Sequence, residues 1–456
     1  MKFIADLHVH SYLSRATSKR SDLVNLHAWA QRKGISVVGT GDFTHPEWRR
    51  RLRDELVEAE PGLFRLSAEK GAEKRIGGNK AGILVKGRSA ERSESAERSG
   101  SVERSGSAER SGSHETRRRS RGAYAYKGPV RFMLQTEISS IYKWGDKVRK
   151  VHNLVYMPDI ESAELFSRRL GELGNVESDG RPILGLDSRD LLEIVLESSG
   201  EAFLIPAHIW TPWFSVLGSK SGFDAIEECY RDLTEHVFAL ETGLSSDPAM
   251  NWRLSKLDRF TLVSNSDAHS PPRLGREANL FDCEFSYHGI MEAIRTRRGF
   301  LGTIEFFPEE GKYHADGHRK CGLRMMPEET LKRDGLCPVC GRKVTMGVLH
   351  RVQALADRKE GSVPPGGGGH FECLVGLDRI ISEVRQRGRG TKGVLREYEA
   401  LLESLGAELF ILREADLEDI TRKSDALLAE GVRRVREGLV CLQPGFDGQY
   451  GTIRIF

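Results

Sequence analysis

Residues 6 to 11, DLHVHS, set an acid and two imidazoles at alternate positions directly after the apolar run FIA. Alternate side chains of a strand share a face, so Asp6, His8 and His10 point the same way and are candidate metal ligands. Imidazole and carboxylate together suit zinc, manganese or iron, ions that polarise phosphoesters. One His at a strand end is commonly a solvated side chain, so the metal reading requires further ligands downstream. They follow as Asp42 and His45 in GDFTHP, Glu137 in QTEIS, His152 in KVHNL, His208 in PAHIW, and Asp267 and His269 in SNSDAH.

These residues close short apolar runs. FIADLHVH, ISVVGTGDF, RFMLQTEIS, KVHNLVYM, EAFLIPAHIW, HVFALETG and RFTLVSNSDAHS each read as a strand ending in polar or ionisable residues. Helical patterns such as SDLVNLHAWAQRKG and SRDLLEIVLESSG lie between several of them. Such alternation up to about residue 300 predicts an α/β fold, a parallel sheet or barrel with outer helices and a site at the carboxyl strand ends. Nine His, Asp and Glu residues at the ends of six of these seven strands exceed the three protein ligands of a usual catalytic zinc. Unpaired buried ionisable groups are costly, so the count fits two or three divalent ions sharing a bridging carboxylate.

A chain of 456 residues is long enough for two or three domains. It holds no apolar run of about 20 residues, which excludes a membrane-spanning helix. The start, MKFIADLHVH, lacks the regions of a signal peptide, so an intracellular, cytoplasmic protein is expected. Seven cysteines in a chain this long do not make a disulfide framework; close pairs in a reducing compartment more often bind metal. The net charge of +3 does not by itself argue for nucleic acid.

The cysteines bear this out in their spacing. His318-x-x-Cys321 is followed, after fifteen residues, by Cys337-x-x-Cys340, the pattern of a zinc-ribbon-like module with one structural zinc. His314 is an alternative to His318. Beyond it, LVGLDRIISEVRQRG, VLREYEALLESLG and DLEDITRKSDALLAEGVRRVREG carry apolar residues at helical spacing and predict a mostly helical C-terminal region. Between the first two, RQRGRGTKG is basic and Gly-rich, either a solvated loop or a contact for a phosphate backbone. Residues 89 to 118 read as five hexamers of the SAERSG type, whose apolar content is three Ala and one Val, too little to bury a core, and they predict a disordered insertion over 89–121.

Taken together, DLHVHS, TGDFTH, the Glu and His that follow, PAH and SDAH resemble the polymerase-and-histidinol-phosphatase (PHP) superfamily over residues 1 to 300. That resemblance implies a distorted (β/α)7 barrel with a trinuclear phosphoesterase site. His8, His10, Glu137 and Asp267 would hold one metal, and Glu137 would bridge to a second on His152 and His208. Asp42 or His45, with Asp267 and His269, would hold the third. Asp42 and His45 stand three apart where the common pattern has adjacent residues, and no His follows the first motif at the usual interval.

The segments VGTGDFTHPEW, ETGLSSDPAMNWRLS, SNSDAHSPPRLGREAN, GHRKC, LCPVCG and PGFDGQYGTIRIF resemble the endonuclease Q family over nearly the whole chain apart from the insert. The resemblance implies a DNA repair nuclease that nicks 5′ to uracil, hypoxanthine, xanthine or an abasic site. It is expected to act as a monomer on damaged DNA, with a replication or repair protein as a further partner and no membrane. Its parts would be a PHP domain at 1–300, a zinc-binding module at 301–355 and a helical domain at 356–456. Asp267, His8, His10 and Glu137 would carry the catalysis, with zinc, manganese, iron or magnesium in the site. Lys19, Arg20, Arg253, Arg273 and Arg276 are candidates for gripping the DNA backbone. Trp210, Trp213 and Phe214 either border the pocket of a flipped nucleotide or pack as ordinary core and rim. The barrel motifs alone are equally those of a small-molecule phosphoesterase such as histidinol-phosphate phosphatase. The zinc module and the roughly 100 residues after it, which a small substrate does not require, argue against that alternative.

Overall fold

The computed structural model describes residues 1–67 and 128–456, so the repeat insertion read at 89–121 lies outside the described residues. The strands of the first 305 residues are β1 (Lys2–Asp6), β2 (Val37–Gly39), β3 (Leu56–Glu60), β4 (Leu63–Leu66), β5 (Arg131–Met133), β6 (Gln135–Trp144), β7 (Lys147–Tyr156), β8 (Ile183–Leu184), β9 (Phe203–Pro206), β10 (Ala239–Glu241), β11 (Thr261–Val263), β12 (Ala278–Asp282) and β13 (Phe300–Glu305). They are followed by β14 (Asp316–His318), β15 (Leu323–Met325), β16 (His370–Cys373), β17 (Cys441–Gln443) and β18 (Thr452–Arg454).

A ring of strands surrounds the apolar interior. β1 pairs in parallel with β2, and β2 with β5. Only Leu134 separates β5 from β6, which pairs with β7, and β7 in turn pairs with β9. Ile209 N donates to Glu241 O at 3.0 Å, joining the end of β9 to β10, and β10 pairs with β11. A parallel bridge between Val9 and Ala268 returns the chain to the end of β1. Helices such as Leu23–Lys33 pack outside; Asp22 caps it by accepting from Asn25 N, and Gly34 ends it at φ 84°, a left-handed position that glycine adopts without Cβ strain.

The barrel departs from the all-parallel expectation at β6 and β7, an antiparallel hairpin of ten residue pairs closed by Gly145 and Asp146. Gly-X between two alternating runs is a hairpin signal, and it carries β7 back against the sheet direction. Glu137 is therefore the third residue of β6 and His152 the sixth of β7, so neither stands at a carboxyl strand end as the sequence reading had it. They meet because the hairpin sets Ser139 opposite His152.

β12 lies antiparallel on β1, β13 on β12, and β16 extends the same sheet in parallel with β13. The segment after residue 356 thus begins by adding a strand to the barrel's own sheet, and only then becomes helical, from Leu377–Val384 to Ala426–Arg436. The closing loop returns to the cysteine module, where Asp447 accepts from Arg319 N at 2.7 Å and from Thr345 Oγ1 at 2.6 Å. No helix among the described residues is long and apolar enough to cross a membrane.

Where β13 meets the barrel, Glu277 and Glu305 are both fully buried. Burial pushes the Glu305 carboxyl up to about 8, against the pull of hydrogen bonds from Thr303, Ser264 and Thr242. Burial and then Glu305 push Glu277 up as well. A carboxyl raised in the folded state binds its proton where the unfolded chain has lost it. Its stabilising contribution is full below the unfolded value of 4.5 and is lost as pH rises through about 8. The melting temperature is expected to fall across that window, and Glu305→Gln to flatten the fall; equal slopes for both proteins would exclude this pair as the cause.

Candidate metal centre

β1 runs out at Asp6, and the next residues keep its alternation, so His8 and His10 share a face, both fully buried. Asp6 does not join them. Its carboxylate accepts from Ser266 N at 3.0 Å and Gly275 N at 2.9 Å, and burial, only partly offset by these bonds, lifts it to about 6. It ties the loop after β11 to β1.

Each imidazole has one nitrogen occupied and the other bare. His8 Nδ1 lies 3.1 Å from Glu241 Oε1, and His10 Nδ1 lies 3.1 Å from Asp42 Oδ1. Among the described residues, His8 Nε2, His10 Nε2 and Asp267 Oδ1 are buried and make no hydrogen bond of good geometry, although His10 Nε2 and Asp267 Oδ1 stand 3.1 Å apart. Leaving such atoms unpaired costs about 1–3 kcal/mol each, a cost removed when a cation takes all three. Imidazole nitrogens held from behind by carboxylates are the usual arrangement of metal-binding histidines.

Glu137 divides its two oxygens. Oε2 lies 3.2 Å from His10 Nε2 and 3.7 Å from His8 Nε2, whereas Oε1 lies 2.6 Å from His152 Nδ1 and 3.2 Å from His208 Nε2. Three groups of ligand atoms result: His8, His10 and Glu137; Glu137, His152 and His208; and His10, Asp267 and His269, each group within 4.8 Å. Glu137 is shared by the first two and His10 by the first and last, so the groups form a chain. The first is sealed, while Asp267 at 25% and His269 at 31% side-chain exposure form the open rim.

The same field fits cations. Burial opposes charge on His8, but Glu241, Asp267 and Glu137 outweigh it and push the imidazole up to about 10. Asp267, although buried, is held far below its ordinary value by His8 and His10. A site that attracts a proton this strongly attracts a divalent ion in its place. Asp42 (φ 50°), His208 (φ 30°) and Asp267 (φ 46°) all sit in left-handed backbone, a strain that concentrates at functional sites. At Gly243 a Cβ would come within 2.4 Å of the His208 Cβ, so this glycine makes room for the ligand loop.

Several residues take places other than those read from sequence. Asp42 is not among the grouped ligand atoms: behind His10, its Oδ2 accepts from Ser11 N, Ser11 Oγ and Ser14 Oγ at 2.6–2.9 Å. His45 caps the helix Pro46–Glu55 by accepting from Glu47 N at 3.2 Å and does not reach the cluster. Glu241 was not read as a site residue, yet it holds His8, accepts from His208 N at 2.8 Å and accepts from Asn265 at 2.9 Å. Its sequence signal was the one used elsewhere, an acid closing an apolar run in ALETG. Arg181 was also missed; its Nη1 lies 3.0 Å from Glu137 Oε2, and nothing in SDGRPIL marks it. Glu241→Gln and Asp42→Asn, which remove charge behind an imidazole without removing a ligand, are each expected to weaken metal affinity about 10–100-fold in chelator competition. Wild-type affinity in both would show that these carboxylates do not orient ligands.

Among the expected DNA contacts, Lys19 and Arg20 are exposed on a loop joined to the site by Ser18 N donating to His269 O at 2.8 Å. Arg273 is exposed, but Arg276 is spent on the backbone, donating to Ser266 O at 2.8 Å and Asp267 O at 3.3 Å. Arg253 packs against the 357–358 segment, its carbonyl accepting from Asp357 N and Arg358 N. Trp210 is fully buried, with Nε1 donating to Asn251 Oδ1 at 2.8 Å. Trp213 is 42% exposed and meets Tyr313 edge-on, while Phe214 lies 4.7 Å from the His152 ring. His318, Cys321, Cys337 and Cys340 form a separate group, with His318 Nδ1 3.2 Å from Cys321 Sγ and 3.4 Å from Cys340 Sγ. His314 is buried outside that group, which leaves His318 as the fourth ligand type.

A family profile described as the MJ0043 C-terminal domain matches residues 376–439. The chain is 33% identical over 255 residues to protein MJ0043 of Methanocaldococcus jannaschii, covering 54% of this chain and only 31% of that protein's length. It is 29% identical over 314 residues to YqxK of Bacillus subtilis, covering 67% of this chain and 74% of the relative. Along its whole length it is similar to the crystal structure of the lesion-specific endonuclease PfuEndoQ from Pyrococcus furiosus, at 27% identity and TM-score 0.78, covering 95% of that chain. A structure of endonuclease Q with a 27-mer duplex carrying an abasic lesion at the active site is similar at 26% identity and TM-score 0.77, with 97% of that chain covered. The likeness to these two structures spans the barrel, the cysteine module and the helical region of this chain, which therefore shares the fold of the endonuclease Q structures.

Proposed function

We propose that the protein is a metal-dependent DNA repair endonuclease that nicks the phosphodiester bond 5′ to a deaminated base (uracil, hypoxanthine or xanthine) or an abasic site. The observation that carries this reading is the likeness, over the full chain, to an endonuclease Q bound to duplex DNA with an abasic lesion at its active site. The chained ligand groups around Glu137 support it chemically.

Divalent ions in this site, whether zinc, manganese, iron or magnesium, supply charge for phosphate oxygens and a bound water of lowered pKa. His8, His10, Glu137 and Asp267 would hold one ion, Glu137 with His152 and His208 a second, and Asp267, His269 and His10 a third. Glu241 and Asp42 keep the Nε2 atoms of His8 and His10 turned inward. Arg181, a quarter exposed beside Glu137, offers its remaining N–H groups to a phosphate oxygen. Trp213, 42% exposed and edge-on to Tyr313, offers its ring to an unstacked nucleotide. His318, Cys321, Cys337 and Cys340 hold a structural zinc in the module at 301–355, between the PHP domain at 1–300 and the helical domain at 356–456. The same reading takes the protein as a monomer of the cytoplasm whose nick passes to a downstream repair or replication protein.

The test is a nicking assay on labelled duplex with one uracil, hypoxanthine or abasic site, with zinc, manganese or magnesium added. A metal-dependent break just 5′ of the lesion, absent from undamaged duplex, is expected. Hydrolysis of a small phosphomonoester with every lesion duplex left uncut would refute the proposal.

A further inference from the structure

The β6–β7 hairpin has one covered face and one bare one. Its register pairs Ser139 with His152, Ile141 with Lys150 and Lys143 with Val148. Because alternate residues share a face, the surface bearing Glu137 and His152 continues outward as Ile141 and Lys150, then Lys143 and Val148. The opposite face is packed by the 222–231 segment: Arg149 lies over the Phe223 ring, Tyr142 against Cys229 and Trp144 beneath Arg231. On the ligand face Lys143 is exposed and Val148 is 55% exposed. Among the described residues no ion pair involves Lys143 or Lys150.

Phe214 joins this surface to the metal centre. Its ring centroid lies 4.7 Å from that of His152 and 5.3 Å from Lys150 Nζ. It is held there in left-handed backbone at φ 61°, with its carbonyl accepting from His152 N and its N–H donating to Ser221 Oγ. A large aromatic residue in that conformation is strained, and the strain is maintained where a ligand histidine and a lysine meet.

Resting on the nuclease reading, we infer that this face of the hairpin is the track along which one DNA strand enters the metal centre. Lys150 and Lys143 bind its phosphates, and Phe214 guides the strand past His152. At about 3.4 Å per residue the two lysines stand about 7 and about 14 Å beyond His152. That span covers roughly four nucleotides of one strand.

The measurement is fluorescence anisotropy of the holoenzyme on undamaged labelled duplex, which it holds without cutting, over a salt titration. Each phosphate-binding lysine contributes about one unit to the log–log salt slope. The K143A/K150A protein is expected to bind with a slope shallower by about two and to weaken equally on lesion and undamaged duplex. The K143R/K150R protein is expected to keep the wild-type slope. K147A, on the packed face, is expected to leave the slope unchanged. A wild-type slope in K143A/K150A, or an equal loss in K147A, overturns the track while leaving the nuclease reading standing. A wild-type enzyme that bound no duplex at low salt would overturn both.

Discussion

Glu137→Gln is expected to lower the nicking rate at least about 10³-fold and to remove more than one metal ion per chain. The variant keeps the shape of the side chain but replaces one of two carboxylate oxygens by an amide that repels cations. In the native site Oε2 faces His8 and His10, and Oε1 faces His152 and His208, so no rotamer of glutamine serves both groups. Metal-ion stabilisation of a phosphoryl transition state is worth several kcal/mol, and about 4 kcal/mol corresponds to 10³ in rate. His269→Ala touches only the rim group and is expected to remove at most one ion. Elemental analysis of both variants beside the nicking assay separates the cases. A full metal complement in Glu137→Gln would end the bridging assignment.

Cys340→Ser is expected to release one tightly held zinc per chain and to unfold the module around it while the barrel keeps its melting transition. The buried apolar core there consists of Met325, Cys337 and Val344, with Cys321, Leu323 and Met346 partly buried against it. A cluster that small cannot offset the entropy of ordering the segment, so the fold depends on the metal. Zinc-finger peptides draw roughly 10–16 kcal/mol from zinc at neutral pH, which shows the scale available. Cys340 is exposed, so its hydroxyl replacement creates no steric conflict. Hydrogen exchange over residues 315–346 reads the outcome. Retained protection in a zinc-free variant would mean that the closing loop alone, through Asp447, holds the module.

Much of the centre was legible because its ligands close apolar runs, and a buried strand end tolerates an ionisable side chain only with a partner. His8, His10, His208, Asp267 and His269 were found on that ground; the His-Cys-Cys-Cys group was found by the spacing of its two knuckles. The same rule could not tell a ligand from the group behind a ligand. Asp42 and Glu241 both close strands, and only the direction of each carboxylate, toward an imidazole Nδ1, separates them from Asp267. Alternation placed Asp6 with the histidines, but Ser266 and Gly275, over 250 residues away in sequence, offer it two N–H groups. The antiparallel β7 was readable in WGDK and overlooked because the alternating βα pattern dominated the window. Arg181 had no local signal, since its role depends on a carboxylate 44 residues away.

The bridge between Val9 and Ala268 gives the centre a history as well as a geometry. On a ribosome the first two ligands emerge early, whereas their partners Asp267 and His269 emerge more than 250 residues later. Contacts so distant in sequence form slowly, because a long loop must close before it is rewarded. A nascent chain therefore carries β1, an apolar strand whose β12 edge stays bare, through more than half of its synthesis. The centre is completed only by that late closure: a chain interrupted before residue 267 holds the two groups that share Glu137 and lacks the rim carboxylate and imidazole of Asp267 and His269.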